Sequence, residues 1–118
     1  MFDKDSITLL RIPFSYFLLP VYLFAISQCH QVNISNMLVS FIVPHLFIYP
    51  ASNGYNSYMD RDEGSIGGLE HPPPPTIKLF YLTLLFDIMG LLLSLAVSFW
   101  FTLGLILYIL ASRAYSFK

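Results

Sequence analysis

Asn56 and Asp60 lie four residues apart, so on a helix they stack one turn above the other and offer an amide oxygen and a carboxylate on one face. Asp62 and Glu63 follow at once, which puts three carboxylates within four residues. An oxygen-only set of this kind suits Mg2+, which takes one or two carboxylates together with water and phosphate oxygens. The plainer reading is a solvated acidic loop beyond a helix end. Carboxylates at a helix carboxyl terminus oppose its dipole, so a cation should compensate, and Arg61 or a metal ion could do so. Carried backwards, the same helix reaches Asn53, Ser52, Tyr49 and His45, a polar stripe that is expensive on an apolar helix unless it faces a cavity or a protein neighbour.

The elements that carry these residues read as membrane spans. Hydrophobic residues make up 56% of the 118-residue chain and charged ones 11%, against roughly 25% charged in an ordinary soluble domain. Apolar runs at 12–27, 34–51, 77–99 and 101–114 approach the roughly 20 residues a transmembrane helix needs. The expected architecture is therefore an all-α membrane protein of about four transmembrane helices, near 8–28, 34–60, 77–99 and 101–117, with a loop over 61–76. The first run differs from a signal peptide, because Asp3, Lys4 and Asp5 are not net positive and no small-x-small cleavage site follows.

All six basic residues, Lys4, Arg11, Arg61, Lys78, Arg113 and Lys118, fall where four spans would place one face of the bilayer. The opposite connections carry none, so the amino terminus and loop 61–76 are expected in the cytoplasm. The net charge of −1 leaves no basic surface for nucleic acid. Cys29 is the single cysteine, which excludes an internal disulfide. Cys29 and His30 form a possible metal pair but lack the four ligands of a structural zinc site. Thr76, Asn33 and Ser35 stand where helix caps are expected. Pro13, Pro20, Pro44 and Pro50 interrupt apolar runs, and Pro44 and Pro50 predict a kink in the second span.

Several polar residues remain. Asp87 lies nine residues beyond Lys78, about 13.5 Å along a helix, and reads as either a functional carboxyl or a hydrogen-bonded structural one. His45 reads as a core histidine or a pocket residue. Tyr108, Ser112 and Tyr115 recur at helical spacing and could face one cavity, although interfacial anchoring also explains Tyr115. No Ser/His/Asp or Cys/His arrangement supplies a nucleophile. Residues 67–76, with the run Pro72–Pro75, form a stiff connector or a lid.

Asn56-x-x-x-Asp60 at the end of a second span, followed by a proline-rich stretch, resembles the first aspartate-rich motif of the UbiA prenyltransferase superfamily. The wider segment from Asn56 to Gly68 resembles the variant carried by a bacterial branch of that family. Arg11 followed by Pro13 is similar to the family's opening helix, and Tyr115-Ser-Phe-Lys118 to the end of its fourth. The resemblance covers the first four of the family's usual nine helices, so it implies a fragment lacking a C-terminal half with a second motif, and inactive in isolation. Gly64 stands where many members carry a further aspartate, a place Asp62 or Glu63 would take. His71 stands where members often have Arg or Lys.

The resemblance implies Mg2+ held by Asn56, Asp60, Asp62 and Glu63, with Arg61, Lys78 and Lys118 touching the diphosphate. It further implies transfer of an isoprenoid chain from a prenyl diphosphate to an aromatic or other lipophilic acceptor, in the bacterial inner membrane. Two other readings use the same residues. One is a non-catalytic four-helix interaction or assembly subunit; the other is a small transporter with Asp87 and His45 as a proton path.

Overall fold

Proline sets the irregularities of the first two spans. In a computed structural model of the chain, which describes residues 4–29, 31, 33–61, 69 and 71–117, every element is helical. Helix α1 (Lys4–Leu10) stops at Arg11, whose φ of 48° and ψ of 51° are left-handed, and a 3-10 helix follows over Ile12–Leu18 before α2 (Leu19–Ser27). Pro13 has no N–H to offer the Leu9 carbonyl, so the α-helical ladder cannot run through. Asn53 Nδ2 donates at the break to the Leu10 carbonyl at 3.1 Å and to the Arg11 carbonyl at 3.4 Å, which also accepts from the Phe14 N–H.

The second span begins at α3 (Ile34–Ile42), where the Asn33 side chain accepts from the Asn36 N–H at 3.2 Å as an N-cap should. Pro44 then removes one donor, and the helix widens into a π segment over Val43–Ile48 before α4 (Tyr49–Asp60). The irregularity expected at Pro44 is thus a wider turn, with Pro50 placed in the first turn of α4. Helices α5 (Ile77–Ser94) and α6 (Phe99–Ser116) form a hairpin. The third helix ends five residues short of the expected 99 because Ser94 and Ser98 make the turn: Ser98 Oγ accepts from the Phe101 N–H, and Ser94 Oγ bonds Thr102 Oγ1 at 2.7 Å. Thr76 occupies the N-cap of α5 with extended backbone, but its hydroxyl makes no cap bond.

Four helical stretches, Lys4–Ser27, Ile34–Asp60, Ile77–Ser94 and Phe99–Ser116, are long and apolar enough to cross a membrane. The molecule measures 46 Å along its long axis, enough for the ~30 Å hydrocarbon core of a bilayer. Phe17, Phe24, Leu92, Trp100 and Leu107 point outward, where lipid would take the place of protein packing.

The spans alternate in direction. Tyr22 bonds the Met37 carbonyl, Ser15 that of His45, and Asn53 that of Leu10, so the first two are antiparallel. Gly54 faces Thr83 and Leu79 while Gly90 faces Ile48, so α4 and α5 are antiparallel as well. Added Cβ atoms would lie 2.8 Å from Thr83 Cγ2 at Gly54 and 2.7 Å from Ile48 Cδ1 at Gly90; missing side chains let these helices touch. Leu9, Leu10, Leu79 and Leu82 pack one end of the interior, and Val43, Ile48 and Leu105 the middle. The up-and-down course brings Lys4, Asp60, Arg61, Lys78 and Ser116 to a common end.

Candidate functional site

Helices α4 and α6 run parallel, and the polar side of α4 meets α6 rung by rung. The rings of Tyr49 and Tyr108 lie 5.4 Å apart, edge to face. Ser52 Oγ is 3.3 Å from Ser112 Oγ, and Asn56 Nδ2 donates to Ser116 Oγ at 3.1 Å. Residues 49, 52 and 56 recur at three to four, as do 108, 112 and 116, which is what keeps the rungs in step. Tyr108 and Ser112 therefore share a face as their spacing suggested. Tyr115 does not: it is 85% exposed, and buried Ser116 takes the inward position.

The stripe read from the sequence divides. Ser52 and Asn56 turn to α6, whereas Asn53 turns to the break in the first span. A helix surface advances about 100° per residue, so a 52–53 pair cannot serve one neighbour. His45 goes elsewhere again. It is fully buried, with Nδ1 2.9 Å from the Phe41 carbonyl oxygen. Its ring stacks on Phe41 at 4.5 Å and meets the edges of Tyr22 and Tyr49. That is a core histidine among aromatic rings.

Asp60 closes α4 one turn beyond Asn56 and is partly buried. Arg61 takes a left-handed conformation, φ 52° and ψ 43°, and its N–H bonds the Ser57 carbonyl at 2.9 Å to finish the helix. Its guanidinium lies over the Tyr58 ring, 4.9 Å from the centroid, and reaches the Pro75 carbonyl at 3.5 Å. Arg61 thus ties the end of α4 to the segment entering α5. Lys78 is exposed in the first turn of α5. Asp62, Glu63 and Lys118, and His30 of the Cys29–His30 pair, lie outside the described residues. Among the described residues, no three His, Cys, Asp or Glu side chains gather as a metal cage.

Arg113 was legible in the sequence only as a topogenic charge, yet it organises this end of the bundle. Its guanidinium forms an ion pair with Asp87 Oδ2 and donates to Ser52 Oγ and Ser112 Oγ, each at 2.8 Å. The Tyr55 ring lies 5.2 Å away. The two side chains are 16% and 11% exposed, so α4, α5 and α6 are joined through one buried cation. A signal did exist: beyond Lys78 in the first turn of α5, the last two spans carry only two charges, and these are opposite in sign. Arg11 is a similar case, reaching the Asn53 carbonyl at 3.4 Å and lying against Phe14.

Towards the opposite end, α2, α3 and the start of α6 enclose a groove of about 490 Å³. Its walls include Val21, Ile26, Met37, Pro44, Phe101 and Leu105, and among the described residues no charged one lines it. Tyr49 forms part of the lining and also begins the α4 face that leads through Ser52 and Asn56 to Asp60, about 16 Å along the helix axis.

Comparison of the chain with family models, with curated proteins and with solved structures gives no match. The chemistry of the site thus rests on its own residues. Asn56 uses its amide nitrogen on Ser116, which leaves the carbonyl oxygen on the side away from that bond. With the Asp60 carboxylate a turn further on, the pair supplies two oxygen donors of the kinds Mg2+ accepts, and water and phosphate oxygens would complete its shell. The donor set fits the cation.

Proposed function

We propose that this chain carries a diphosphate-binding motif of a Mg2+-dependent membrane prenyltransferase, which passes an isoprenoid chain from a prenyl diphosphate to a lipophilic acceptor. The observation that carries the reading is the pair Asn56 and Asp60, on consecutive turns at the end of a span and beside the partly buried polar contact with α6. Asn56 and Asp60 would hold the cation, with Asp62 and Glu63 as further carboxylates. Magnesium bound there supplies positive charge to the diphosphate and makes it a better leaving group.

The rest falls to the protein. Lys78 and Arg61, from elements that converge on this end, would attract the diphosphate, together with Lys118, which follows α6 in the sequence. The uncharged groove lined by Met37, Pro44 and Phe101 gives an isoprenoid tail an apolar place to lie. In the reaction the allylic C–O bond of the donor breaks, diphosphate leaves with the electron pair, a bond to the acceptor forms, and the acceptor releases a proton. This end, with the amino terminus and loop 61–76, would face the cytoplasm of a bacterial cell membrane, because the basic residues collect there.

The test is binding of tritiated farnesyl diphosphate to the chain in lipid nanodiscs. Saturable binding that requires Mg2+ and is lost on Asp60→Ala is the expected result. Binding that persists in EDTA, or is unchanged by Asp60→Ala, would overturn the proposal.

A further inference from the structure

Asn56 can present either end of its carboxamide to a ligand, and only one end binds a cation. An amide nitrogen cannot coordinate Mg2+, whereas the carbonyl oxygen can. A free asparagine at a helix end rotates about its terminal torsion and shows both ends in turn. Here it is not free: Nδ2 donates to Ser116 Oγ at 3.1 Å, and Ser116 is 5% exposed at the last turn of α6.

Two features fix Ser116 in that position. The rung before it, Ser52 with Ser112, is held by Arg113, which also pairs with Asp87 of α5. The α6 helix then ends, with Phe117 extended at φ −66° and ψ 132°. The register of α6 thus occupies the amide nitrogen of Asn56.

We infer that Ser116 is a positioning residue for the cation site: it holds the nitrogen end of the Asn56 carboxamide so that the oxygen end faces the ion. The inference rests on the magnesium–diphosphate reading of Asn56 and Asp60. It adds a residue from another span and a stated task for it. Ser116 touches neither ion nor substrate; it acts through Asn56.

The experiment measures the Mg2+ concentration at half-maximal binding of farnesyl diphosphate to the full chain in nanodiscs. Ser116→Ala should raise that midpoint by roughly three- to tenfold, the equilibrium counterpart of one net hydrogen bond, without lowering the melting temperature. Ser116→Thr, which keeps the hydroxyl, should restore it. The decisive arm uses Asn56→Asp, whose two ends are both oxygen. In that background Ser116→Ala should no longer move the midpoint, because no amide remains to be oriented.

A merely structural serine would shift the midpoint equally in both backgrounds, and that result overturns the inference. So does an unchanged midpoint in Ser116→Ala while Asp60→Ala still abolishes binding, an outcome that leaves the functional reading standing. If Asp60→Ala is without effect, the parent reading falls and this one with it.

Discussion

Replacing Arg113 by methionine should be the most damaging single change of charge in this protein. Methionine keeps the length and apolar volume of the stem but removes the cation. Asp87 Oδ1 has no hydrogen-bond partner among the described residues, so losing the guanidinium on Oδ2 leaves the carboxylate without one there. Both side chains are too buried for water to compensate, at 16% and 11% exposure. Breaking one side of such a pair costs about 3–5 kcal/mol, a large share of the ~5–15 kcal/mol that holds a typical domain together. Ser52 and Ser112 lose a donor in the same step, which places the estimate towards the upper end.

Asp87→Asn is milder, because an amide oxygen still accepts from Arg113; about 1–3 kcal/mol is expected for weakening a hydrogen bond to a charged group. Replacing both partners, Asp87→Leu with Arg113→Met, removes the buried charges together and should lie within ~1 kcal/mol of the parent, since apolar replacement of a buried pair is often neutral. The assay is reversible unfolding in mixed detergent micelles, followed by circular dichroism, on the parent, Arg113→Met, Asp87→Leu and the double variant as a double-mutant cycle, with Asp87→Asn measured alongside. An Arg113→Met loss below ~1 kcal/mol would refute the reasoning. So would a double variant no more stable than its worse single parent.

Two further outcomes follow from the packing. Gly54→Val should destabilise by about 1–3 kcal/mol in the same assay, because its Cβ meets the stiff Thr83 side chain at 2.8 Å and Leu10 at 2.9 Å; a neutral result would mean that α4 and α5 are not in contact there. Asn53→Ala leaves the Leu10 and Arg11 carbonyls without their side-chain donor and should cost about 1–3 kcal/mol, with faster hydrogen exchange confined to residues around the break.

Much of this architecture could be read directly from residue order. Four apolar lengths with few charges dictate four helices, since a backbone in lipid must bond to itself. Asn33 announced its own cap, and Pro44 a disturbance, because both act within a turn or two of their positions. The i, i+4 relation of Asn56 and Asp60 was equally local. Which neighbour each polar group meets was not. Asn53 and Asn56 look alike in the sequence but serve opposite sides of α4, one closing a broken helix and the other bonding Ser116. Thr76 looked like a cap yet makes no such bond, whereas Ser98 caps the second arm of the hairpin.

Periodicity and composition settled the class of protein and the end of the bundle where its polar chemistry collects, because hydrophobicity and helical repeat are properties of neighbouring residues. The pairing of Asp87 with Arg113, the inward turn of Ser116 in place of Tyr115, and the confinement of His45 among aromatic rings required the packed bundle. Each depends on the rotation and axial register of one helix against another. Those are set by where glycine permits contact and where a buried charge must find its partner, conditions that involve residues dozens of positions apart.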